Sequence, residues 1–259
     1  MLPRITLLLV VLVAPLSLFC QSAAEDPIIA NPNRPTVADP ADITQFGVAE
    51  IEYGFTVARR NQSLDGLLKF AFAKDLELRI DTNTFQHDAD QHAKGVGDTG
   101  VGIEWRIVHQ KRFFPTFSVS YAAKAPTAPD TLGSGDYGHE MRVLMSKDFG
   151  KSHFDANLSY FFLGRSGEPG FDHSFLPALA WSHPLKGKWA TTAEIWGTTH
   201  QNATTGGTTS LLAAATYQLR PRLVLDSGMN FGLRGDIPRA AFFVGVTYSI
   251  FDLYHPSRR

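Results

Sequence analysis

Hydrophobic and polar residues alternate along most of this 259-residue chain. In the stretch DTGVGIEWRIV (98–108), the odd positions form a mainly apolar row that includes Trp105, and the even positions carry Glu104 and Arg106. A period of two indicates a β-strand, because successive side chains of a strand point to opposite faces. The same period recurs in twelve segments from Phe46 onward, with no convincing helical stretch between them. The pattern therefore predicts an all-β protein.

The strand lengths and connections indicate which row faces water. Most segments run for about ten residues, the length that crosses a bilayer at a tilt. Short connections such as AKD, HQKR and LRPR follow the even-numbered strands, and mostly longer ones follow the odd-numbered strands, notably 87–97, 125–137 and 164–172. Short periplasmic turns and long outer loops are typical of an outer-membrane barrel. We therefore predict a single antiparallel up-and-down transmembrane β-barrel of about twelve strands, with the apolar row toward lipid and the polar row inside.

The alternative is a secreted soluble barrel or sandwich with the apolar row inside. It fits less well with the uniform strand lengths and with aromatic residues near the strand ends, which are typical of interfacial girdles. The eighth segment, 175–182, is the weakest strand prediction because its second face is also apolar, with Leu176, Ala178 and Ala180.

The two ends of the chain differ from the strand region. Residues 1–24 combine an early Arg4, an apolar run from Ile5 to Phe19 and small residues in QSAAED, which predicts a cleaved signal peptide. Lipidation of Cys20 is the alternative, although the bulky Phe19 precedes it. Residues 25–45 are rich in Pro, Asp and Asn and predict an extended, mobile periplasmic leader; whether it plugs the barrel stays open. The barrel is predicted over 46–251, followed by a tail, 252–259.

Composition excludes some functions. The formal net charge of -1 argues against a nucleic-acid partner. Cleavage of the signal peptide would remove the only cysteine, so no disulfide or thiol chemistry is expected in the mature chain.

The polar row carries most of the strand charge. We predict that fourteen of these residues line the lumen: Glu50, Glu52, Asp65, Lys69, Glu77, Arg79, Asp81, Glu104, Arg106, Glu140, Arg142, Asp155, Glu194 and Asp226. Acids outnumber bases in this row, which favours a conduit for cations or neutral polar solutes. The other interpretation is that Glu–Arg pairs fill the lumen and make the wall rigid.

Three short motifs are weak candidates for chemistry. GVGDTG (95–100) matches a dinucleotide fingerprint by letters, but a strand rather than a helix is predicted to follow it. HDADQH (87–92) contains two imidazoles and two carboxylates without the spacing of a known metal site. His173 and Ser174 point to opposite faces of a strand, and His153 and Asp155 share a face without an obvious nucleophile. No catalytic residue, metal or cofactor is predicted.

Several pieces of the sequence together resemble a known family. They are NRPT ahead of VAEIEYGF, GVGDTGVGIEWRI, and APTAPDTLGSGDYGHEMRVLMSKDFG with the following FDANLSYFFLG. The chain is similar to the outer-membrane β-barrel transporters associated with the meta-cleavage pathway of phenol degradation. The resemblance implies transport but not a ligand site. This sequence departs from barrels of that kind at its end, where Ile250 stands in place of a terminal aromatic residue and FDLYHPSRR follows.

The sequence thus predicts a bacterial outer-membrane channel or transporter for the passive passage of small molecules. A closed structural or surface-binding barrel that acts through its outer loops is the alternative, and a lipid-modifying outer-membrane enzyme is a third. The expected partners are outer-membrane lipid, a small-molecule solute and the barrel assembly machinery. The solute and the oligomeric state are not predicted.

Overall fold

β-Strands dominate the computed structural model, which describes residues 27–129, 131–165, 167–200 and 205–255. The strands in these ranges are β1 (Val48–Ala58), β2 (Asn61–Ala73), β3 (Leu76–Asp88), β4 (Ala93–Gly95), β5 (Thr99–Val108), β6 (Thr116–Ala125), β7 (Gly138–Phe149), β8 (Ser152–Gly164), β9 (Phe171–Pro184), β10 (Trp189–Thr198), β11 (Thr208–Arg220), β12 (Leu223–Arg234) and β13 (Ala241–Asp252). Within the described ranges, no helix is long and apolar enough to cross a membrane.

The strands close into a cylinder. Each long strand pairs antiparallel with its neighbours in the chain, and β1 pairs with β13, where Tyr53 faces Val246 across the seam. β4 is only three residues long and pairs with the end of β3. The wall therefore contains twelve strands, and the predicted all-β antiparallel barrel is confirmed. Closure leaves no unpaired sheet edge, which a hydrocarbon environment would not tolerate.

The register places the apolar row outside. Trp105 is 52% exposed, whereas its neighbour Glu104 is 1% exposed. Large apolar side chains such as Val143 and Leu158 stand on the outer surface, and buried residues on the inner side include Lys69. A soluble barrel would bury the apolar row and hydrate the charges, so this arrangement excludes the soluble alternative.

The barrel has two different ends. The connections 74–75, 109–115, 150–151, 185–188 and 221–222 lie at one end, which we call the turn end. The opposite end, called the loop end, carries the connections between β3 and β5, β6 and β7, β8 and β9, β10 and β11, and β12 and β13, together with the tight β1–β2 turn.

β6 begins later than the alternation in the sequence predicts. The apolar row that contains Phe117 starts at Phe113 and predicts a strand from there, but β6 begins at Thr116. The N–H of Lys111 instead donates to the carbonyl of Phe114 at 2.9 Å and closes a turn. Pro115 cannot donate a ladder hydrogen bond, so the strand begins after it.

The segment before β1 is not an extended periplasmic leader. Residues 27–45, which we call the plug, fold inside the barrel, and Ile28, Ala38, Ala41 and Thr44 are buried there. The prediction of an extended, mobile leader was wrong, because backbone N–H groups of the segment bond to side chains of the wall. The predicted signal peptide 1–24, with Cys20, and residues 256–259 of the predicted tail lie outside the described residues.

Candidate functional site

The plug is a loop whose two ends lie at the turn end of the barrel. The N–H of Ala30 donates to the carbonyl of Pro221, in the turn between β11 and β12, at 2.9 Å. Near the other end of the plug, the side-chain oxygen of Gln45 accepts the N–H of Ile29 at 3.0 Å. Between these points the chain reaches into the lumen. The plug therefore obstructs the half of the lumen nearest the turn end.

Wall carboxylates bind the backbone of the plug. Glu52, on β1, accepts the N–H of Asn33 at 2.9 Å and of the following residue at 3.0 Å. Glu194, on β10, accepts the N–H of Ala38 at 2.6 Å and of the preceding residue at 2.9 Å. The other plug N–H groups that bond to wall side chains are those of Asn31, Ala41 and Thr44, which donate to Glu50, Ser146 and Glu77. A buried segment without strand partners needs such acceptors for its amides.

Lys69 holds the plug from the neighbouring strand. Its ammonium group is fully buried and lies 2.7 Å from Glu50 and 2.6 Å from Glu52. It also donates to the carbonyl of Asn31 at 2.5 Å and to the side-chain oxygen of Asn33 at 2.7 Å. The cation therefore neutralises two buried carboxylates and contacts the plug backbone at the same place.

Asp39 is the acidic centre of the plug. Its carboxylate lies 2.9 Å from Arg79 and also contacts Arg142. Each arginine keeps a carboxylate of the wall as well, Glu104 for Arg79 and Glu140 for Arg142. Burial raises the pKa of Asp39, but the two guanidinium groups outweigh burial, so the pKa lies below its ordinary value.

Arg34 extends from the plug into a space that two glycines leave open. It pairs with Asp226 at 3.2 Å. A Cβ atom at Gly54 would lie 1.8 Å from Nη1 of Arg34, and one at Gly245 would lie 2.2 Å from its Nε. Because these glycines occupy adjacent positions on β1 and β13, the guanidinium can lie against the wall at the seam.

A small apolar contact completes the docking. Ala38 of the plug is fully buried and packs against Ala178 and Ala180 on the inner face of β9. These residues belong to the segment whose two apolar faces weakened the strand prediction. Here the second apolar face has a partner inside the barrel.

Above the plug, a cavity of about 500 Å³ lies at the loop end. Two cationic side chains border it, Arg34 and Lys124, and six carboxylates do so: Asp39, Glu52, Asp65, Asp81, Asp98 and Glu140. Asp65 and Asp81 are exposed to the cavity. Neither of them has a cation within ion-pair distance among the described residues; Asp65 accepts hydrogen bonds from Ser63 and Asn83 instead. The cavity is therefore acidic.

The structure places the fourteen predicted lumen residues in three groups. Those that contact the plug are Glu50, Glu52, Lys69, Glu77, Arg79, Arg106, Arg142, Glu194 and Asp226. Those that border the cavity away from the plug are Asp65, Asp81 and Glu140. Those that bond within the wall beside these groups are Glu104 and Asp155.

Sequence reasoning missed the partners that the plug supplies. Asp39, Asp42 and Arg34 form ion pairs with the wall, and Asp42 lies 3.1 Å from Arg106. Their segment has no periodicity, so no pattern pointed to them. The sequence did contain a signal in the wall, where Gly54 and Gly245 stand at inward-facing positions. Glycines there leave space in the lumen that another segment of the chain can fill.

The weak chemical candidates do not form a catalytic group. His153 Nε2 lies 3.0 Å from Asp155 and its Nδ1 lies 2.7 Å from Asp148, so neither ring nitrogen is free to activate a hydroxyl. His173 bonds to the hydroxyl of Tyr160, whereas Ser174 donates to the carbonyl of His200.

The other two motifs, GVGDTG and HDADQH, lie in strands and the turns beside them. GVGDTG runs from the end of β4 into β5 and is not followed by a helix, as nucleotide binding would require. HDADQH lies around the turn between β3 and β4. In the part of the chain that the structure describes, no group of three or more His, Cys, Asp or Glu residues has the geometry of a metal site.

Comparison with solved structures identifies similar barrels. An outer membrane channel from Pseudomonas putida F1 has a TM-score of 0.65 and 13% identity, over 82% of this chain and 99% of that one. The NanC porin has a TM-score of 0.59 and 10% identity, over 78% and 100%. The KdgM porin has a TM-score of 0.57 and 9% identity, over 78% and 99%. At these identities the likeness establishes the fold.

No curated protein matches the sequence. The sequence model of one family, described as "Putative MetA-pathway of phenol degradation", matches residues 36–250. This match includes ten residues of the plug and all but the end of the barrel wall. The resemblance found in the sequence is thereby confirmed, and the chain belongs to this family of outer-membrane-type β-barrels.

Proposed function

We propose that this protein is a bacterial outer-membrane channel for the passive passage of small solutes, with cationic and neutral polar solutes favoured. A solute enters the cavity at the loop end and passes when the plug shifts. The turn end faces the periplasm, as the short connections indicate. The outer wall contacts acyl chains, and the barrel assembly machinery inserts the protein.

The acidic cavity is the observation that carries this proposal. Its volume of about 500 Å³ is within the range of sites that hold small organic molecules. Asp65 and Asp81 face it with no cation within ion-pair distance among the described residues, so neither carboxylate is neutralised by a direct ion pair. Carboxylates that line a narrow space concentrate cations and repel anions.

Conductance measurements in planar bilayers test the proposal. The wild type should give discrete conductance, and its reversal potential in a salt gradient should indicate cation preference. The double variant Asp65→Asn and Asp81→Asn should lose much of that preference and keep its conductance. A matched control, Asp90→Asn and Asp236→Asn, neutralises two exposed loop-end acids that do not border the cavity and should keep the preference. A barrel that conducts nothing would contradict the proposal.

A closed barrel that acts through its outer loops is the second candidate. It is favoured by hydrogen bonds that hold the long loop between β6 and β7. Asp98 accepts the N–H of Ala128 at 3.1 Å and of Ser134 at 2.8 Å. Burial raises the pKa of Asp98, but these N–H groups and the Ser134 hydroxyl outweigh burial and lower it. If deletion of 125–137 abolishes function while neutralised cavity acids are tolerated, the loops rather than the lumen carry the activity.

A further inference from the structure

Exposed cations outnumber unpaired acids at the turn end of the barrel. Four of its turns carry six exposed cationic side chains, which we call the turn-end cations: Lys74, Lys111, Arg112, Lys151, Lys186 and Lys188. Two acids close to them, Asp75 and Asp148, are already paired, Asp75 with Arg106 at 3.0 Å and Asp148 with His153 at 2.7 Å. No turn-end cation forms an ion pair with a carboxylate among the described residues. Their charge is therefore available to an external partner.

Large apolar side chains stand beside these cations. Phe113 is 79% exposed and Phe114 is 64% exposed, directly after Arg112. The Arg112 guanidinium lies 5.2 Å from the centre of the Phe113 ring. Trp189, next to Lys188, is 51% exposed. Aromatic rings beside cations are typical of the level where acyl chains meet lipid headgroups.

The most exposed of these turns is held in shape. Lys147, at the end of β7, donates from Nζ to the carbonyl of Lys111 at 2.7 Å and to that of Arg112 at 3.2 Å. The turn is also closed by the hydrogen bond from the Lys111 N–H to the carbonyl of Phe114. Its cations and aromatic rings are thus presented together by a fixed backbone.

The loop end has a different charge pattern. There Arg60 pairs with Asp90 at 2.6 Å, and Arg165 pairs with Asp172 at 2.7 Å. Arg60 and Arg165 thus have carboxylates beside them, and acids such as Glu168 and Asp236 stand among the other exposed cations of that end. The two rims of the barrel therefore present different charge to the two leaflets of a bilayer.

We propose that the turn-end cations bind the phosphate groups of anionic phospholipids in the leaflet at that end of the barrel. Phe113, Phe114 and Trp189 insert at the boundary between headgroups and acyl chains. The proposal relies on the membrane location given under the proposed function, but not on conduction. Each Lys or Arg near an anionic surface contributes up to roughly fivefold to binding, and salt weakens the effect.

Spin-label experiments on the purified barrel in mixed bilayers test this site. The ratio of phosphatidylglycerol to phosphatidylcholine in the lipid shell should exceed that of the bulk bilayer and should fall at high salt. The turn-end variant carries Lys111→Gln, Arg112→Gln, Lys186→Gln and Lys188→Gln. The matched control carries Arg59→Gln, Lys94→Gln, Arg234→Gln and Arg239→Gln, which are exposed at the loop end. We expect the turn-end variant to lose most of the preference, at least severalfold, and the control to keep it.

An equal loss in both variants, or no preference in the wild type, would overturn the proposal. Inorganic phosphate should weaken the preference no more than chloride of equal ionic strength; a stronger effect would indicate a site for free phosphate instead. The same preparations are tested for conductance, which the turn-end substitutions should leave unchanged. A barrel that prefers anionic lipid but does not conduct would contradict the proposed channel function and leave the proposed lipid site intact. Failure of one proposal can therefore be distinguished from failure of the other.

Discussion

Replacing Asp39 with asparagine should loosen the plug, and more so than the same change at Asp42. The side chain contacts Arg79 and Arg142 and is 13% exposed. Removing one partner of a buried ion pair costs about 3 to 5 kcal/mol. After the substitution each arginine still has a wall carboxylate as a partner. We therefore expect a cost around the lower end of that range, about 2 to 4 kcal/mol. At 1.36 kcal/mol per factor of ten, the released population should rise roughly 30- to 1,000-fold.

Hydrogen exchange of the plug amides measures this change directly. The N–H groups of Asn33 and Ala38 bond to wall carboxylates and exchange only when the plug is released. Their protection should fall by the expected factor in Asp39→Asn, while protection in the wall strands stays constant. The matched control is Asp42→Asn, because Asp42 is 44% exposed and pairs with Arg106. An exposed pair contributes about 0 to 1 kcal/mol, so protection should fall less than roughly fivefold.

The pH dependence gives an independent check. The pKa of Asp39 is lowered in the folded protein, so its contribution is fully present above the unfolded pKa of about 3.9 and is lost as the pH falls through the lower folded value. The difference in plug protection between the wild type and Asp39→Asn should therefore be constant at neutral pH and shrink below about pH 4. Equal protection of Asp39→Asn and Asp42→Asn, or a difference that grows in acid, would refute the reasoning.

Further substitutions test other contacts. Gly54→Ala should expel the Arg34 guanidinium, because the new Cβ would lie 1.8 Å from Nη1, and plug protection should fall; in an Arg34→Ala background the same change should have no further effect. Lys69→Met leaves two buried carboxylates without their cation and should destabilise the protein by about 3 to 5 kcal/mol in urea titrations in liposomes. In the same assay, Val143→Arg on the outer wall should cost about 2 to 4 kcal/mol, and Phe113→Arg in a turn about 0 to 1 kcal/mol; equal costs would contradict the lipid-facing register.

The wall could be predicted from the sequence because its two environments repeat every two residues. Trp105 outside and Glu104 inside follow from that period alone, since a shift of one residue would turn Arg79 and Arg142 toward lipid. The start of β6 could not be read in this way, because Phe113 continues the apolar row although Pro115 ends the ladder.

The plug could not be predicted because nothing in residues 27–45 is periodic. Its contacts join residues far apart in the chain, as with Ala38 and Glu194, and its backbone is held by side chains rather than by a ladder. The composition of the segment, rich in Pro, Asp and Asn, is also that of a disordered leader. Only small inward residues on the wall, such as Ala178 and Gly245, indicated that something occupied the lumen.

The plug continues through two residues into β1 at Val48, so it stays attached to the barrel when it leaves its site. Rebinding is then an intramolecular step, with an effective concentration in the millimolar range for so short a link. A free peptide of the same sequence would have to reach comparable concentrations to compete. The rate at which the plug rebinds should also not depend on the density of the protein in the membrane, because each barrel rebinds its own plug.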